Sequence, residues 1–190
     1  MARKKVRSKK TNTKNNKKSF LDIVIRYIIL IAVAFPGLLI FYKIFTPLTV
    51  YSVHFIFSLF YNSSITSSTD LLVNNVPIEL IRACIAGSAY YLLLIFNLST
   101  PGIKFGRRIK AILFSFVAFL ILNILRIVLL GNLAISGSSY FDVTHALFWY
   151  GISTFIVVGI WFFEVKIFRI KDIPLYSDLK AIYRASHFGK

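Results

Sequence analysis

Three side chains in this 190-residue sequence have the types that thiol chemistry needs: Cys84, Arg126 and His145. Cys84 is the single cysteine, so it forms no disulfide within the chain and is either a small packing residue or a reactive thiol. A thiolate attacks a carbonyl carbon, and neighbouring cationic or basic groups activate it. In such a set His145 would take the thiol proton and later protonate the leaving amine. Arg126 would stabilise either the thiolate or the oxyanion of the tetrahedral intermediate. The chemistry so assembled is thiol acyl transfer. Supporting groups lie close in sequence: Asn123 one turn from Arg126, Asp142 one turn before His145 where it would orient the ring, and Glu79 and Arg82 just ahead of Cys84. His54 and His187 show no such convergence and are expected to be structural.

Composition says what must position these groups. The chain is 57% hydrophobic and only 16% charged, with a mean hydropathy of +0.71, an excess that points to lipid rather than to a large soluble core. The net charge of +16 sits almost wholly in three blocks flanking apolar runs. Cytoplasmic Lys and Arg explain all three blocks at once, so a nucleic-acid partner is not expected. No residue pattern points to a cofactor or a metal.

The chain therefore reads as an all-α integral membrane protein. Residues 1–19 form a basic, disordered cytoplasmic tail. A catalytic domain over 20–165 holds a bundle of about four transmembrane helices, near 20–45, 78–98, 111–133 and 142–163, each close to the ~20 residues needed to span. Pro36-Gly37 is a candidate kink in the first. Residues 48–61 are short for a span and are expected to be interfacial or re-entrant. The polar stretch 62–75 reads as an external loop, because no Lys or Arg occurs between Lys43 and Arg82. Residues 166–190 form a second basic cytoplasmic tail, in which Leu179, Ile182 and Tyr183 are spaced for a short interfacial helix. This topology puts both termini inside, at the cell membrane.

Depth decides whether the three groups meet. At 1.5 Å per residue, Cys84 is expected roughly 10 Å below an outer helix end at Pro77, and Arg126 roughly 12 Å below one near Ala134. His145 lies about one turn into the last span. All three fall toward the outer face. The small residues Ala83, Ala86, Gly87, Ser88 and Ala89 beside Cys84 would let another helix approach closely.

Three short motifs then resemble the exosortase/archaeosortase family, in order: Arg82-Ala83-Cys84-Ile85-Ala86-Gly87, Asn123-Ile124-Leu125-Arg126-Ile127 and Thr144-His145-Ala146. The likeness covers roughly residues 77–165 and suggests a compact, archaeal-type member. In members with Cys-Ser-Gly or Cys-Thr-Gly the glycine comes one place earlier than Gly87 does here. The resemblance implies a membrane cysteine protease or transpeptidase with Cys84 as nucleophile, Arg126 as the family arginine and His145 as the third residue. It implies as substrates exported proteins with a C-terminal sorting signal of motif, transmembrane helix and basic tail. The cleaved end would pass to water or to an acceptor, a membrane lipid among them. Two other readings stay open: a non-enzymatic assembly or small permease subunit, with Arg126 paired to Glu79 or to lipid, and a lipid-modifying acyltransferase.

Overall fold

The computed structural model describes residues 21–35 and 37–170. The basic tails, Pro36 and His187 lie outside them, as does the helix expected around Leu179, Ile182 and Tyr183. The described chain is mainly helical. Helix α1 runs through residues 21–34 and α2 over Leu39–Ser58. Strands β1 (Ser63–Ile65), β2 (Asp70–Val73) and β3 (Val76–Glu79) follow. Then come a short α3 (Arg82–Ile85), α4 (Gly87–Leu98) and the long α5 (Phe105–Ile135). The last helical run is α6 (Phe141–Leu147), a π-helix over Phe148–Ile152, and α7 (Ser153–Phe168).

Two of these helices, α2 and α5, are long and apolar enough to cross a membrane. The surface pattern of α5 runs opposite to that of a soluble protein. Its buried face carries Ala111, Ser115, Phe119, Asn123, Ile127 and Gly131, two of them polar. Its exposed face carries Leu113, Val117, Ile121, Leu125 and Leu129. An apolar exterior over a partly polar interior suits a lipid surround.

Three expectations change. First, residues 20–45 are not one helix. The chain leaves α1 through Gly37 and Leu38, both left-handed at φ 63° and 62°, and restarts as α2. That helix passes unbroken through Pro47 to Ser58, so 48–61 is no separate re-entrant segment; most of it is the second half of α2. Proline costs one backbone bond there, a loss that packed apolar helices tolerate. Second, the fold is not all-α. Residues 63–79 form a three-stranded antiparallel sheet in the order β1-β2-β3. Asn74 and Asn75, with φ 49° and 68°, make the two-residue turn that hairpins favour. Leu71 and Val73 are buried on one face of β2 while Leu72 between them is exposed, the alternation of a half-buried strand. Third, the segment beginning near residue 78 is a strand up to Glu79, and helix starts only at Arg82.

The core lies where α2, α4 and α5 meet. Phe45 stacks on Tyr90 with centroids 3.6 Å apart, and Phe116 and Phe119 meet the same ring edge-on. The small residues do admit close neighbours: a Cβ on Gly87 would come within 2.8 Å of the Tyr42 ring, and one on Gly131 within 2.6 Å of Phe57. Along α4 this aromatic layer sits roughly 10 Å before Asn97, at 1.5 Å per residue, and Cys84 lies ahead of the other end of that helix. It divides the polar interior into two parts.

Candidate active site

A break in the helix creates the site. Cys84 is the third residue of α3, which stops after Ile85 because Ala86 is left-handed at φ 57°. A non-glycine residue there costs about 1–2 kcal/mol. In an unbroken helix the Cys84 carbonyl would accept from the amide of Ser88. Here it accepts from two side chains of α5 instead: Asn123 Nδ2 donates at 2.9 Å and Arg126 Nη2 at 3.3 Å. Because Asn123 and Arg126 are one turn apart on α5, they reach the same oxygen. Strain at Ala86 and the polar pair on α5 are two halves of one arrangement.

Arg126 is held from a second side. Its Nη1 donates to Ser153 Oγ at 2.8 Å, and that hydroxyl donates onward to the Phe148 carbonyl at 2.6 Å. Phe148 and Ser153 are the start of the π-helix and the residue just past it, so the wider turn is closed by the serine. Single π turns occur disproportionately at functional sites. Arg126 Nε is buried and has no hydrogen-bond partner. It is a spare donor on a fixed guanidinium.

These groups surround a cavity of about 310 Å³, a size that suits a small ligand or a few residues of peptide. Cys84, Arg126, His145, Glu79, Phe141 and Phe148 all line it. The structure thus brings Cys84, Arg126 and His145 to one space, with Asn123 bonded behind them. The depth expected for Cys84 from a helix starting at Pro77 does not apply, since residues 76–79 are strand and helix starts at Arg82.

The remaining expected groups fall differently. His145 lies flat against Phe141, ring centroids 5.6 Å apart and planes 4° apart, whereas Asp142 is exposed and is not among the lining residues. Arg82 packs its guanidinium over the Tyr42 ring at 5.5 Å, anchoring α3 to α2 outside the cavity lining. Arg126 makes no ion pair with Glu79; Arg26 pairs with Asp22 at 3.2 Å. His54 Nδ1 meets Ser63 Oγ at 2.8 Å, tying α2 to the sheet. Among the described residues no group of three or more His, Cys, Asp and Glu side chains is placed to hold a metal. Ser153 was not singled out by sequence. Its only signal was a hydroxyl within the apolar run 146–163, and the π turn that aims it leaves no mark of its own.

No family model, curated protein or solved structure matches this chain.

Proposed function

We propose that this protein is a membrane-embedded thiol acyl-transfer enzyme of the exosortase/archaeosortase kind, acting on exported proteins with a C-terminal sorting signal. The observation that carries the reading is the shared cavity. Cys84, Arg126 and His145 come from three separate helices and open onto one space, and Arg126 is bonded to the backbone of Cys84 itself.

The reaction runs in two halves. The Cys84 thiol gives its proton to His145 and the sulfur attacks the scissile carbonyl, forming a C–S bond while the carbonyl electrons move to oxygen. Arg126, which lines the cavity, supplies guanidinium donors for that oxyanion. Collapse breaks the C–N bond, and the leaving amine takes the proton from His145. Water, an amine or a lipid hydroxyl then attacks the thioester, giving its proton to His145 and restoring the cysteine.

In this reading the chain crosses the bilayer about four times, as a span of ~20 residues per crossing allows. Helices α1 and α2 together make the first crossing. Arg26 of α1 donates to the Leu98 carbonyl at 2.7 Å, at the end of α4 beside the basic start of α5 at Lys104, Arg107, Arg108 and Lys110. Phe57 and Tyr61, at the end of α2, meet Gly131 and Asn132 at the opposite end of α5. With basic segments inside, the sheet and the cavity face outward, where an exported substrate would arrive.

The test is processing of a co-expressed exported protein carrying a C-terminal helix and basic tail. Cys84→Ala should abolish the shortened product, and undiminished processing by that variant overturns the proposal.

A further inference from the structure

Among the described residues the outer edge of β3, the strand that leads to Cys84, pairs with no other strand, and the register shows which backbone groups that edge presents. In the order β1-β2-β3 the strand β3 pairs only with β2. Residues directly opposite in an antiparallel pair alternate between exchanging hydrogen bonds and not doing so. The two-residue turn at Asn74-Asn75 makes Val73 and Val76 an exchanging pair. The Leu80 amide donates to the Thr69 carbonyl at 2.9 Å, which fixes the same phase at the other end. Leu71 and Ile78 therefore exchange bonds, whereas Leu72–Pro77 and Asp70–Glu79 do not. Pro77 and Glu79 turn their backbone groups away from β2. Pro77 stands where its missing N–H would have pointed outward, the position sheets allow to proline. The free edge thus presents the Pro77 carbonyl and both the N–H and the carbonyl of Glu79.

That edge is a wall of the cavity. All five residues 77–81 line it. Side chains along a strand alternate between faces, so a space touched by consecutive residues runs along the strand's edge rather than over one face. The same space reaches Cys84 three residues further on.

We infer that β3 is the substrate-binding strand: an extended peptide adds to its free edge, pairs with the backbone of Glu79 and Pro77, and so lays its scissile carbonyl beside Cys84. The occupant is a polypeptide in β conformation, because only such a chain presents carbonyls and amides at the spacing of the free groups. The inference rests on the proposed thiol chemistry and names how its substrate is held. Main-chain pairing would give affinity with little dependence on sequence, and the cavity's apolar walls would select side chains on alternate residues. It also explains how a sheet edge is used rather than hidden.

The experiment measures alkylation of Cys84 by mass spectrometry in the purified full chain. The probe is an acetylated tetra-alanine chloromethyl ketone, from which chloride leaves as the C–S bond forms; iodoacetamide and glutathione serve as the reference electrophile and the reference thiol. The peptide-to-iodoacetamide rate ratio at Cys84 should exceed the same ratio for glutathione by about tenfold or more, as two or three net hydrogen bonds allow. Single N-methyl groups placed at each of the four amides in turn should slow the peptide about tenfold at alternate positions and hardly at all between them. Glu79→Pro replaces the outward N–H with a ring that stands in the path of an added strand, without touching a bond to β2, and should erase both the rate advantage and the alternation. A peptide with no advantage over the free-thiol ratio overturns the inference, as does a flat N-methyl scan on the unaltered protein. Those results leave the enzyme reading to the Cys84→Ala processing test, which fails or holds independently.

Discussion

Arg108 and Arg126 sit on the same helix, five turns apart, and do the same elementary thing with opposite results. Each donates to backbone carbonyls left over where another helix ends. Arg108 reaches Asn97 and Leu98 through Nη1 at 2.9 and 3.0 Å and Thr100 through Nη2 at 3.0 Å, closing the end of α4. Arg26 arrives at the Leu98 carbonyl from α1, and Asn97 holds buried Glu164 at 3.1 Å. Asn97, Ser99, Thr100, Ser115 and Glu164 around them are each no more than 1% exposed. Arg126 also closes a helix end, that of α3, yet it keeps one donor spare and stands on a cavity. A guanidinium on orphan carbonyls is thus a structural device by default. Space in front of it and a reactive neighbour make it a candidate for chemistry.

That contrast can be broken by substitution. Arg108→Met should cost the most, since three buried carbonyls lose a charged donor: on the order of 3–5 kcal/mol of stability, read as a lowered unfolding midpoint in detergent and poor recovery of monodisperse protein. Arg126→Met should leave the unfolding midpoint within a few degrees but reduce processing about 10²–10³-fold, the usual loss for an oxyanion donor. Equal stability losses in the two variants would remove the distinction. Asn123→Ala should slow processing about tenfold, by freeing the Cys84 carbonyl from one of its two holders, and Asn123→Gln should not restore it because the longer arm misplaces the amide. The smallest effect belongs to Glu164→Gln: it keeps an acceptor for Asn97 and should change stability by less than about 1 kcal/mol, with processing unaltered.

Much of this was legible in the chain because lipid makes polar residues conspicuous. Asn123 and Arg126 stand out in the apolar run 111–133, one turn apart on one helix, but the depth expected for Cys84 assumed a helix from Pro77 where the chain is strand up to Glu79. Other parts carry no such contrast. Pro36-Gly37 marked the first helix break as a candidate kink, whereas Ala86 holds left-handed backbone that nothing in its side chain announces, so the second break was invisible. The sheet was hidden for a different reason: its strands are three and four residues long, and the Asn74-Asn75 turn with alternating Leu71, Leu72 and Val73 was its only trace. The stacking of Phe141 on the His145 ring depends on rotamer and packing rather than on spacing.

The aromatic layer of Phe45, Tyr90, Phe116 and Phe119 has an electrical consequence for a protein of the proposed kind. A reaction that admits water or an amine must let solvent part of the way into the bilayer, and a second polar cluster lies on the far side. In such a protein the fully buried Tyr90 ring, with Phe45 stacked on it and Phe116 and Phe119 edge-on, would form an apolar partition between the two. Such a partition would let a cell carry many copies and keep its membrane potential.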